Sequence, residues 1–229
     1  MAGRTHGSGS GAYLRVVGER LFQKTSENHP GAERREYVDP SSGDKKFMYG
    51  IWYDDWYGFI VGIEKKESRV RPGEYILEIK MQDQNETVNI QVVWGSRHCY
   101  DFLKRICSPD FKPQEMCAVN PWVMEVDGKE KPIRGLSIIQ SQDNKSLKSP
   151  FVEGDLPSWV AVDIGGGKKA WNRDAFEEAL MAKVNEVIAK LRSPEEEIAT
   201  PPPADVDLGD NVEGVNMDEL DEEDSDLPF

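Results

Sequence analysis

Through the centre of the chain, apolar and polar residues alternate with a period of two, the pattern of strands with one buried face. Ala12 to Val17 predicts a first short strand, and Thr25 to Lys46 reads as a long polar loop with turn signals at His29-Pro30-Gly31 and Asp39-Pro40. Strand signals become dense from Phe47. Tyr57, Phe59, Val61 and Ile63 fall on one predicted face, and Arg71-Pro72-Gly73 turns the chain. Tyr75, Leu77, Ile79 and Met81 share the next face, Gln84-Asn85 turns again, and Val88, Ile90, Val92 and Trp94 line a third strand. Between Gly95 and Cys107 the period changes, and Cys99, Phe102, Leu103 and Ile106 recur as on one side of a short helix. Strands over 115–126 and 131–140 follow, joined at Asp127-Gly128, a hairpin signal. Leu136, Ile138 and Ile139 supply the apolar surface of the last one.

Three strands, a short helix and two strands is the element order of an OB-fold, a small Greek-key barrel whose face and loops bind oligonucleotides. The predicted class is therefore mainly β: an OB-fold Greek-key barrel with an N-terminal extension, a C-terminal helix and a disordered acidic tail. After a loop over 141–158 comes a short apolar run, Trp159 to Ile164. Gly165-Gly166-Gly167-Lys168-Lys169 lacks the spacing of a phosphate loop and reads as a flexible turn. Asn172 caps a predicted helix to Leu191, with Phe176, Leu180, Val184, Val187, Ile188 and Leu191 on one stripe. That stripe suits packing on the barrel or on a second subunit.

Charge divides the chain differently. Of its 229 residues, 42 are acidic and 28 basic, a net charge of −14. Residues 193–229 hold 14 of the acids and no Lys or Arg, which leaves residues 1–192 formally neutral. With Pro201-Pro202-Pro203 and no apolar periodicity, that tail cannot bury enough surface to offset chain entropy and is expected to be disordered. The expected organisation is a flexible N-terminus over 1–11, a folded domain over 12–192 and the acidic tail over 193–229. No run approaches the roughly 18 apolar residues of a membrane span, and the N-terminus lacks the apolar stretch of a signal peptide. A cytoplasmic protein with no membrane partner is expected.

Catalysis finds little support. Cys99, Cys107 and Cys117 are odd in number and widely spaced, and His6, His29 and His98 lie at no metal-ligand spacing. Asp54-Asp55 is the one tight carboxylate pair in the aromatic region and reads as a solvated turn. No cofactor and no metal are expected. Binding has better material: Trp52-Tyr53-Asp54-Asp55-Trp56-Tyr57-Gly58-Phe59 packs five aromatics into eight residues, followed by Lys65, Lys66, Arg69 and Arg71. Single-strand binding needs rings for bases to stack on and cations along the phosphate track. Phe59 and Trp94 read as core, whereas Trp52 and Trp56, beside the acidic pair, are assigned to the surface. Tyr53 and Tyr57 join them as candidates. Pro121 marks an edge or bulge and leaves Trp122 open to either face. Lys129, Lys131 and Arg134 flank the last hairpin and extend the basic rim.

The closing residues, Asp221-Glu222-Glu223-Asp224-Ser225-Asp226-Leu227-Pro228-Phe229, set a ring behind acids, a compact ligand for an apolar pocket with a basic rim. This stretch resembles the C-terminal tip of bacterial and bacteriophage single-stranded-DNA-binding proteins, which end in acids followed by a hydrophobic residue, Pro and Phe. The resemblance implies an OB domain that coats single strands in replication, recombination and repair. It also implies a tip, here Asp224, Asp226, Leu227, Pro228 and Phe229, that recruits a polymerase, helicase, primase or nuclease. The longer body, the added helix and the short acidic spacer point to a bacteriophage protein with a host-like tip; a homo-oligomer is possible. The competing reading is an acidic protein-interaction module, a chaperone or DNA mimic, that binds no nucleic acid.

Overall fold

The computed structural model describes residues 12–38, 43–68, 71–83, 86–128, 131–140, 145–166 and 168–191. Nine strands form one mixed sheet: β1 (Ala12–Val17), β2 (Arg20–Thr25), β3 (Glu33–Val38), β4 (Lys45–Tyr53), β5 (Trp56–Glu67), β6 (Tyr75–Gln82), β7 (Thr87–Val93), β8 (Cys117–Met124) and β9 (Ile133–Ile139). Their order is β3-β4-β2-β1-β7-β6-β5-β8-β9, antiparallel throughout except for the parallel pair β1–β7. The protein is mainly β, and the sheet curls into a half-barrel. Its strand alternation supplies the core: Leu14, Leu21, Leu77, Ile79, Met81, Val88, Ile90 and Val119 all point inward and are fully buried.

The curl brings β2 against β8. The chain turns from β4 into β5 at Asp54-Asp55, and this corner ties the two walls together. Arg20 Nε donates to Asp54 Oδ1 at 3.0 Å, and Asn120 Nδ2 donates to the Asp54 carbonyl at 3.0 Å.

Two helices close the core. Helix α1 (Arg97–Ile106) starts at Ser96, whose hydroxyl accepts from the Cys99 N–H, and buries Cys99, Phe102, Leu103 and Ile106 completely. It also covers the outer edge of β9: Asp101 Oδ2 accepts from the Leu136 N–H at 3.0 Å and from Arg105 Nε at 2.9 Å. An edge strand met in this way offers fewer open backbone groups to other chains. Helix α2 (Asp174–Leu191) opens where Asn172 Oδ1 accepts from the Asp174 N–H at 2.9 Å, and it packs on α1 and β5. Phe176, Leu180 and Val184 form its buried stripe, with Val187, Ile188 and Leu191 partly buried beyond them.

Glu177 fastens α2. Its carboxylate accepts from Trp94 Nε1 at 2.8 Å and from the Tyr100 hydroxyl at 2.5 Å, with Lys65 Nζ 3.6 Å away. Burial and then the bond to Glu177 raise the Tyr100 phenol well above its ordinary value.

Three expectations need correction. The stretch from Thr25 to Lys46, expected as a loop, holds β3 and the start of β4; Glu33–Val38 pairs with Gly50–Lys45 as a hairpin. The Trp159–Ile164 run continues as β10 (Val160–Gly165), which pairs with an unexpected strand, β11 (Lys168–Asn172), in a separate two-stranded sheet. The third concerns β5. Its register against β6 slips between Ile60↔Met81 and Gly62↔Lys80, a bulge at Val61. The extra residue lets Trp56, Ile60 and Ile63 all face inward, while Tyr57 and Phe59 turn outward. The expected face of Tyr57, Phe59, Val61 and Ile63 holds only for Ile63.

The thiols report on this packing. Cys99 and Cys117 are buried and pushed up to about 12 by burial; Cys107 is half-buried and pushed up to about 11 by burial and then by Glu186. Each binds its proton more tightly folded than unfolded. Stability therefore falls as pH rises above the ordinary thiol value of 9.0 toward 11–12. Thiol labelling of the native protein should reach Cys107 first and accelerate through that pH window, with Cys99 and Cys117 reacting only after unfolding.

Candidate nucleic-acid interface

Residues opposite each other across a ladder share a face, so the outer side of the sheet can be traced strand by strand from Trp52. On β4 it holds Lys46, Met48, Gly50 and Trp52; on β3, Arg35 and Tyr37 lie opposite Met48 and Lys46. On β2 it holds Arg20, Phe22 and Lys24, with Phe22 opposite Trp52. On β1 it holds Tyr13 and Arg15, and across the parallel pair these face Asn89 and Gln91 of β7. The side continues to Lys80 on β6.

Aromatic and cationic groups interleave here. The Phe22 and Trp52 rings sit 4.7 Å apart at 54°, and the Arg20 and Arg35 guanidiniums lie 5.7 and 5.8 Å from the Trp52 ring. Phe22 is buried because Gly50 lets it lie directly on the β4 backbone; a Cβ at position 50 would overlap its ring. Trp52 is only half-buried, and Tyr13 and Lys24 are exposed. On the opposite side of the β3–β4 hairpin, the Arg34 guanidinium stacks 3.4 Å over the exposed Phe47 ring. The concentration of cations on β1 to β4 suits a polyanion with stackable bases.

The sequence-predicted residues divide. Trp52 lies on this face as expected. Trp56, expected at the surface, is only 4% exposed: the β5 bulge turns it inward, edge-on to Tyr53 at 5.2 Å. Tyr53 also turns inward and donates from its hydroxyl to Gln23 Oε1 at 2.8 Å. Tyr57 is 48% exposed, its phenol held above the ordinary value by the Asp55 charge. Phe59, expected in the core, is half-buried on the outward side.

The described cations of the basic cluster at the end of β5 and in the turn after it are engaged with acids. Lys65 meets Glu177 beneath α2, with Nζ 4.1 Å from the Trp94 ring. Lys66 Nζ bonds Glu78 at 2.5 Å and Glu64 at 3.2 Å, and the bond to Glu78 raises its pKa. Arg71 lies 3.5 Å from Glu74. Trp122 is half-buried on the side of β8 that carries Asn120, its ring laid over Gly135. Lys131 and Arg134 are exposed at the end of the β8–β9 hairpin. Arg69, Lys129 and the tip residues Asp224, Asp226, Leu227, Pro228 and Phe229 lie outside the described residues.

Sequence reasoning missed Tyr13, Arg15, Arg20, Phe22, Lys24, Arg35 and Lys46. The available signal was the pair of basic doublets, Arg34-Arg35 and Lys45-Lys46, on either side of the turn residues Asp39-Pro40 and Gly43. Among the described residues, no group of three or more His, Cys, Asp or Glu is placed to hold a metal ion, and no helix is long and apolar enough to cross a membrane. Comparison with known protein families, curated proteins and solved structures finds no match to this chain.

The face and the core make opposite demands on two neighbouring tryptophans. Trp56→Ala should cost about 3–5 kcal/mol of folding stability, as for any large ring removed from a packed core. Trp52→Ala should cost far less in denaturant melts and instead weaken single-strand binding, at about 1–3 kcal/mol per stacked base.

Proposed function

We propose that the chain coats single-stranded DNA without sequence preference, holding the strand along the outer side of β1, β2 and β4 and the adjoining β3. The observation that carries this reading is the surface in which Tyr13 and Trp52, the latter backed by the buried Phe22 ring, stand among Arg15, Arg20, Lys24 and Arg35. Rings give every base a face to stack on, and cations take the phosphates. In this reading β5-β6-β7-α1-β8-β9 form an OB-type barrel. Its support is the element order and the position of β5 between β6 and β8; β1 to β4 extend the sheet beyond β7 and add binding surface.

The remaining parts of the proposal rest on the sequence. The protein acts without catalysis in replication, recombination or repair, in the cytoplasm of a bacterial host, as a bacteriophage protein. The acidic residues of 193–229 compete with DNA for the cationic face. The tip residues Leu227, Pro228 and Phe229, with Asp224 and Asp226, recruit a replication or recombination enzyme.

The alternative is an acidic protein-interaction module. It draws on the ion pairs that already occupy Lys65, Lys66 and Arg71. One titration separates the two. Oligo-dT added to the full chain should quench Trp fluorescence, bind far more tightly than duplex of equal length, and lose about 0.7 log units of affinity per phosphate contact per log unit of salt. Equal affinity for duplex and single strand, or none for either, overturns the coating reading; absence of both favours the interaction module.

A further inference from the structure

A groove of about 250 Å³ opens between the end of α1, the segment that follows it and the final turns of α2. Ile106, Phe111, Phe151 and Val187 supply its apolar surface, and the last three pack on the core yet stay only half-buried. Its walls are held in place. Gln140 Oε1 accepts from the Lys112 N–H at 2.8 Å and Gln140 Nε2 donates to the Glu115 carbonyl at 2.9 Å, which fixes the loop that carries Phe111. Arg105 Nη1 donates to the Leu147 carbonyl at 2.6 Å, three residues before Pro150. Pro109, Pro113 and Pro150 line the groove as well, each with a locked φ. A preformed site of this kind loses little ordering entropy when it is filled. A cavity of about 150 Å³ lined by apolar side chains accepts benzene, so this one has room for a ring and a second apolar side chain.

The rim is cationic in balance, with Lys183 and Lys190 against Glu186. Glu186 meets Lys183 at 3.1 Å, an exposed pair, and Lys190 makes no ion pair among the described residues. Val187 and Lys190 lie in the final turns of α2, so the chain beyond Leu191 starts at the edge of the groove. That chain carries 14 acids and no Lys or Arg over residues 193–229, and residues 224–229 read Asp-Ser-Asp-Leu-Pro-Phe.

We propose that the groove is a docking site for residues 224–229 of the same chain, which lie outside the described residues. Leu227 and Phe229 fill its apolar surface, and Asp224 and Asp226 face Lys183 and Lys190. Residues 192–223 are long enough to bring the tip back to the helix end, because the entropy of closing a loop grows only with the logarithm of its length. Groove and ligand belong to one chain, so the effective concentration of the tip exceeds that of a second copy's tip in dilute solution. The groove shares no residue with the cationic face of β1 to β4. A docked tip is withheld from other proteins, which must compete with the groove for it. The proposal does not rest on DNA binding, and its test uses no DNA.

Cys107 lines the groove and reports on it in the full chain. A seated tip covers this thiol, and labelling of a covered group tracks the population of the open state. Phe229→Ala should therefore raise the native-state labelling rate of Cys107 at least about fivefold. Cys99 and Cys117 should stay unreactive, which shows that the fold is intact. Lys190→Glu, at an exposed position, should also accelerate labelling and add nothing to Phe229→Ala, because both release the same tip. Asp226→Cys gives a direct reading. Under mild oxidation it should form a disulfide with Cys107 within one chain, at least about tenfold faster than Asp207→Cys, although residue 207 is nearer to Leu191 along the sequence. Disulfide-linked dimers at position 226 would assign the groove to the tip of a second copy and overturn docking within the chain. Cys107 labelling indifferent to Phe229→Ala, or equal disulfide rates from positions 226 and 207, would overturn the proposal and leave the groove to a different chain.

Discussion

The single extra residue in β5 decides which side of the sheet each of that strand's aromatic rings occupies. With Val61 bulged out of the ladder, Trp56, Ile60 and Ile63 all reach the core from one strand, and Tyr57 and Phe59 are released outward. A regular strand would place Ile60 and Ile63 on opposite sides, leaving one of them in water. A bulge also bends a strand and increases its twist. In β5, which pairs with both β6 and β8, that bend helps the sheet curl until β2 meets β8.

Ring contacts distinguish the cations of β1 to β4 from most of those at the end of β5. Lys65, Lys66 and Arg71 already meet carboxylates, and Lys65 is shielded further by the α2 latch at Glu177. A phosphate approaching them must displace an existing partner. These partly buried pairs lower the gain from each phosphate. On β1 to β4 cations also stand among rings, with Arg20 and Arg35 near Trp52 and Arg34 over Phe47, and Arg20 is bonded to Asp54 as well. A guanidinium over a ring keeps its N–H donors available at its rim, which suits simultaneous contact with a base and a phosphate.

Much of the core was legible in the sequence. Period-two alternation located Leu77, Ile79 and Met81 and then Val88, Ile90 and Val92, and the change of period marked α1 through Cys99, Phe102, Leu103 and Ile106. The stripe of α2 was legible for the same reason. The bulge was not, because an inserted residue leaves each half of β5 with a regular pattern and only the partner strand reveals the slip. Strand β3 escaped because both of its faces are polar or aromatic, Glu33-Arg34-Arg35-Glu36-Tyr37, with no apolar alternation to detect. Missing β3 cost the face Arg35, and β2, also not predicted, holds Arg20, Phe22 and Lys24. Trp52 was found from the aromatic cluster alone, whereas Arg35 and Lys46 become neighbours of that face only through pairing.

The location of the bound strand is the claim on which the functional account turns, and photocrosslinking measures it directly. Ultraviolet irradiation of the full chain with oligo-dT, followed by peptide mapping, should attach nucleotide to peptides of β1 and β4, at Tyr13 and Trp52, and leave the buried Trp56 unmodified. Adducts confined to the β5–β6 turn, the β8–β9 hairpin or the β10–β11 ribbon, with β1, β2 and β4 unmodified, would contradict it.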